Sequence, residues 1–97
     1  MAKNNRSLPR ISVECPMTYH NVDSPDIKTA VALDVSNHGI LFLANEELPE
    51  GSLKEVHIEP SDKLQAPINA IIQIVRIEPA AGTSKQYKTA GVIKLLK

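Results

Sequence analysis

The chain has 97 residues with 11 basic and 11 acidic side chains, so its formal net charge is zero. That balance argues against general attraction to DNA, RNA or an anionic lipid surface. Aromatic residues make up only 3% of the chain (Tyr19, Phe42 and Tyr87), which leaves no stacking platform for a nucleic-acid strand and demands a core of Val, Ile and Leu. The lone cysteine, Cys15, excludes an internal disulfide. The opening MAKNNRSLPR has no apolar stretch of the kind a secretory signal needs, and no apolar run approaches the ~20 residues of a membrane span. The expectation is one small cytoplasmic domain without membrane insertion.

Charge is unevenly placed along the chain. Lys3, Arg6 and Arg10 all precede the first acid, Glu14, so residues 1–10 read as a short basic arm on a neutral body spanning 11–97. Arg6 and Arg10 are four residues apart, the spacing of a helical face. Pro9 between them removes a backbone donor and pushes Leu8 toward extended conformations, which argues for an exposed, flexible arm instead.

From there the dominant period is two. In ISVECPMTYH, Ile11, Val13, Cys15, Met17 and Tyr19 share one face, and Pro16 marks the strand as an edge strand. After the turn-rich NVDSPDI, the segment KTAVALDVS alternates, with Val31, Leu33 and Val35 expected inward and Ala30, Ala32, Asp34 and Ser36 outward. NHG is a tight turn in which Gly39 is free to take positive φ. ILFLA is a short apolar strand, NEELPEGS a further turn, and LKEVHIEP a strand with Val56 and Ile58 on one side. INAIIQIVRIEP is long and β-branched, apolar on both faces in its middle, and expected to be central. The loop AAGTSKQ leads to YKTAGVIKLL, where Gly91 signals a bulge or a barrel corner. Six strands on short loops, with no amphipathic helix, predict an all-β fold: a small six-stranded antiparallel barrel.

Most of the reactive side chains have ordinary explanations. His20, His38 and His57 fall on different elements with no second cysteine to join them, so no metal site is expected. Cys15 lies on the apolar face of its strand and reads as a small buried hydrophobe. Asp34, Ser36 and His38 can be written as a triad, yet residues this close in sequence rarely form one and nothing supplies an oxyanion hole. The carboxylates of NEELPEGSLKE read as a solvated hairpin tip. Two stretches remain: RSLPR, residues 6–10, and DVSNHG, residues 34–39. Period-two geometry sets Asp34 and Ser36 about 6–7 Å apart on one face. That makes a shallow polar spot, expected to be flanked by Ala30 and Ala32, where a flat ligand can lie, with Gly39 admitting it close to the backbone.

In this order the two stretches, RxxxR before the first strand and DxSxxG at the end of the second, resemble the PilZ domain family of bacterial cyclic di-GMP receptors. LDVSNHGILFL is similar to the family's strand-turn-strand core, and IIQIVRIEP with YKTAGVIKL to its last two strands. The resemblance implies a six-stranded barrel, a non-enzymatic protein, and no cofactor beyond the cyclic di-GMP ligand. By the resemblance, Arg6 and Arg10 bind phosphates and guanine edges and stack on the bases, Asp34 accepts hydrogen bonds from guanine nitrogens, Ser36 adds a hydroxyl contact and Gly39 shapes the turn. Asn37 and His38 fill the variable motif positions and are secondary candidates for ligand contact. Asn5 stands where a further arginine is common in the family, which lowers the expected affinity. The C-terminal helix of many members and an attached output domain are not expected.

The function these readings imply is a receptor that holds the dinucleotide between the RxxxR arm and the DxSxxG surface and signals to an unidentified downstream protein. It would be a monomer or weak homodimer that binds neither DNA nor RNA. The alternatives are a PilZ-fold interaction module that binds protein alone and an unrelated small RNA-binding barrel, with an enzyme last.

Overall fold

The computed structural model describes residues 11–60, 66–80 and 85–97, with the side chains of 11–13 excepted. It has six strands: β1 (Ile11–Asn21), β2 (Lys28–Val35), β3 (Gly39–Ala44), β4 (Leu53–Ile58), β5 (Ile68–Pro79) and β6 (Tyr87–Leu96). Every neighbouring pair is antiparallel, and the sheet closes as a barrel in the order β1-β2-β3-β6-β5-β4. The expected architecture is therefore the observed one.

Closure decides where the core lies. Side chains alternate along each strand, so every second residue enters the barrel. Met17 and Tyr19 from β1, Phe42 from β3, Val56 and Ile58 from β4, and Ile72 and Ile74 from β5 are all buried there, with Cys15 among them. With so few aromatics, packing relies on β-branched side chains around a single ring pair, Tyr19 and Phe42, whose centroids lie 6.0 Å apart.

Several expectations change. β1 is not an edge strand, since it pairs with β2 on one side and β4 on the other. Pro16 is tolerated because the β4 ladder starts only at Met17, paired with Ile58; the Pro16 carbonyl instead accepts the Glu59 N–H at 3.0 Å. In β2 the inward residues are Ala30 and Ala32, and Val31 faces out. A bulge between Ala32 and Asp34 then shifts the phase, so that Val35 turns inward. The alanines thus belong to the core and do not flank Asp34. β5 is no more central than any other strand, because a closed barrel has no centre.

The segment 45–52 is not a hairpin tip. β3 and β4 are not neighbours in the barrel, so this stretch crosses between them. Leu48 is buried at 3% exposure, and Gly51, with φ of 89°, donates its N–H to the Ile74 carbonyl. Glu46 accepts the Tyr19 hydroxyl at 2.6 Å and lies 3.7 Å from Lys28. None of the described residues forms a helix long and apolar enough to cross a membrane.

Candidate functional site

The turn joining β2 to β3 is held by one side chain. The Ser36 hydroxyl oxygen accepts the N–H groups of His38 and Gly39, each at 3.2 Å. The Ser36 N–H donates to the Gly39 carbonyl at 3.0 Å. These bonds close the turn locally, the usual work of a serine in such a position. His38 ties the turn to β6, because its carbonyl accepts the Ile93 N–H at 2.8 Å.

Gly39 is required for a different reason from the one expected. Among the described residues Gly51 alone has positive φ, so Gly39 does not use glycine's left-handed freedom. A Cβ at Gly39 would sit 2.6 Å from the Gly91 carbonyl oxygen. The glycine lets β3 and β6 come together under the turn. Gly91 is tight on its own account, since a Cβ there would meet Ile72 Cδ1 at 2.5 Å.

On the outer face of these strands lies an open cleft of about 510 Å³. The motif residues Asp34, Ser36, His38 and Gly39 line it, together with Leu41, Val75, Arg76, Ala90 and Val92. The structure thus brings three sequence-predicted residues, Asp34, Ser36 and Gly39, and the secondary candidate His38 to one cleft. Asn37 is exposed in the turn but is not part of the lining. Arg6 and Arg10 lie outside the described residues. Ile11, the residue that follows them, pairs with Val35, so the chain enters the barrel beside Asp34 and Ser36.

Sequence reading missed Arg76. Continuing the alternation of Ile72 and Ile74 points Arg76 into the core. A bulge between Ile74 and Arg76 turns it outward into the cleft and passes the inward position to Ile77. Arg76 also borders a smaller hollow with Glu47 and Glu50, and its Nε lies 3.9 Å from Glu78, a pair exposed enough to be weak. The other histidines lie elsewhere, His20 near Glu55 and His57 bonded to Asn69. Among the described residues no cluster of three or more His, Cys, Asp or Glu is placed to hold a metal.

The closed, bulged barrel thus carries an outer cleft built on its DxSxxG turn. Residues 4–92 match the PilZ domain family model, and the chain belongs to that family. PilZ domains are in general non-enzymatic adaptors that bind cyclic di-GMP and interact with partner proteins. Among solved structures, the chain is similar to the Bacillus subtilis inhibitor of motility (MotI/DgrA), with a TM-score of 0.72 and 14% identity. The match covers 95% of this chain and 44% of that one, so this chain spans less than half the length of the protein it resembles. No curated protein sequence matches it.

Proposed function

We propose that this protein is a cyclic di-GMP receptor that holds the dinucleotide between an N-terminal arm, residues 1–10, and the outer face of the barrel, residues 11–97. What carries the reading is that the strand following RxxxR starts beside the DxSxxG cleft. Asp34, Ser36 and Gly39 share one cleft, and the strand that follows RxxxR begins with Ile11 paired to Val35, next to them. Arg6 is five residues from Ile11, a tether of at most about 18 Å, so both arginines are within range of that cleft.

The chemistry fits the parts. A guanidinium fork matches phosphate oxygens and the O6/N7 edge of guanine, and its plane stacks on a purine. A carboxylate at Asp34 accepts the guanine N1 and N2 protons, which adenine does not offer in that pattern. Ser36 is already engaged in the turn, so its main contribution is to hold Asp34 and Gly39 in place, with the hydroxyl as a further contact. Ordering the arm costs conformational entropy and lowers the affinity, as suits a reversible switch. The ordered arm then offers a new surface to a partner protein, in the cytoplasm.

Calorimetric titration with cyclic di-GMP tests this. Wild type binds, while Arg10→Ala and Asp34→Ala each weaken binding at least tenfold. Absence of binding by wild type well above micromolar ligand overturns the reading. That outcome favours the second reading, a PilZ-fold module that binds protein alone, to which the exposed Val31, Val75 and Val92 lend an apolar outer surface.

A further inference from the structure

The strand register draws a line across the cleft. Asp34 on β2 pairs with Leu41 on β3, Leu41 pairs with Ala90 on β6, and Ala90 pairs with Arg76 on β5. The four residues form one row across four strands, and all four line the cleft. Three strand spacings separate its ends, about 14 Å from backbone to backbone. The middle of the row is Leu41 and Ala90, an apolar floor with one small side chain. Each end follows a bulge, between Ala32 and Asp34 in β2 and between Ile74 and Arg76 in β5. Bulges re-aim side chains, and here two separate ones turn one acid and one arginine onto the same outer face.

We propose that Arg76 is the second base reader of this site. Asp34 takes the guanine at one end of the cyclic dinucleotide, and Arg76 takes the O6/N7 edge of the guanine at the other end. This inference rests on the receptor reading above and goes beyond it by assigning the second base. The row is long enough for Asp34 and Arg76 to serve different bases, Asp34 one guanine and Arg76 the other. Their chemistries match the two faces of the same recognition problem. The carboxylate accepts from the donor edge of guanine, and the guanidinium fork donates to its acceptor edge. The exposed pair with Glu78 leaves the Arg76 fork available.

The test compares cyclic di-GMP with the mixed cyclic guanosine–adenosine dinucleotide, titrated into wild type, Arg76→Ala and Arg76→Gln. The mixed ligand can place its guanine at Asp34 but must offer adenine to Arg76, where N6 donates in place of the O6 acceptor. Wild type prefers cyclic di-GMP by roughly 5- to 150-fold, the range of one bidentate base contact. Arg76→Ala weakens cyclic di-GMP binding and brings the preference to within about twofold of unity. Arg76→Gln favours the mixed ligand, because a glutamine amide pairs with adenine N6 and N7. Equal loss of both ligands in Arg76→Ala places Arg76 on a phosphate or on the same guanine as Asp34, and overturns reading of the second base. Unchanged binding of cyclic di-GMP by Arg76→Ala overturns any role for Arg76 while leaving the receptor reading intact. Failure of wild type to bind cyclic di-GMP overturns the receptor reading, and this one with it.

Discussion

Gly39 and Tyr19 show how single side chains hold the site and the core in place. A methyl group at Gly39 meets a backbone carbonyl, which has no rotamer by which to retreat. Gly39→Ala therefore forces β3 away from β6 under the turn, at a cost of about 1–3 kcal/mol. It is expected to lower the midpoint of urea unfolding and to weaken ligand binding together. Tyr19 presents a different balance. Burial pushes its phenol well above the ordinary value, and the hydrogen bond to Glu46 pushes the same way. Below pH ~10 the phenol is protonated in both the folded and the unfolded chain. Above that the unfolded chain releases its proton first, so this side chain's contribution to stability falls as pH rises. Tyr19→Phe loses one hydrogen bond, about 0.5–1.5 kcal/mol at neutral pH, while Glu46 keeps Lys28 nearby. The stability gap between wild type and Tyr19→Phe should narrow from pH 9 to pH 11.5. A constant gap would mean that the phenol is not held neutral by the fold.

Strand pairs carry the next level of constraint, as β5 against β6 shows. The missing Cβ of Gly91 makes room for Ile72, which is fully buried. Gly91→Ala overpacks this contact and should cost about 1–3 kcal/mol. Ile72→Val removes the Cδ1 atom that the new methyl group meets, so the double variant should be more stable than the sum of the two single changes predicts. Additive denaturation energies would place the role of Gly91 elsewhere. The same two strands explain what the sequence disclosed and what it hid. Period-two patterning was sufficient for all six strands, and it placed Cys15, Met17, Tyr19, Val56 and Ile58 in the core. It failed at two bulges that broke the period. In β2 it put Val31 inward in place of Ala30 and Ala32, and in β5 it hid Arg76 behind Ile72 and Ile74. A bulge inserts one residue without a distinctive residue type, so alternation alone cannot place it. Asp34, Ser36 and Gly39 were legible because their motif is local in sequence. The partners across the cleft, Ala90, Val92 and Arg76, come together only through barrel closure, and no local pattern announces them.

Closure of the whole barrel sets how ligand binding and stability are linked. Closure gives every strand a neighbour on both sides, which favours outer faces and the arm over strand extension as the place where a partner would dock. The cleft crosses β2, β3, β6 and β5, four of the six strands, and a ligand seated on it ties together most of the barrel circumference. Binding to the folded state alone stabilises it by about 2.7 kcal/mol at a ligand concentration of 100 times Kd. For a domain of this size, each kcal/mol moves Tm by about 4–8 °C. Saturating cyclic di-GMP should therefore raise Tm by roughly 10 °C or more. Two variants separate ligand contact from framework. Arg6→Ala combined with Arg10→Ala removes the two guanidinium groups proposed to grip the ligand, and the expected outcome is an unliganded Tm close to that of wild type with the ligand-induced rise gone. Ser36→Ala removes the bonds that close the β2–β3 turn, so its unliganded Tm falls. Part of its ligand response survives, because Asp34 and the arm arginines remain. If the doubly substituted arm retains the full rise, the ligand is held by the barrel face alone, and the arm has no part in recognition.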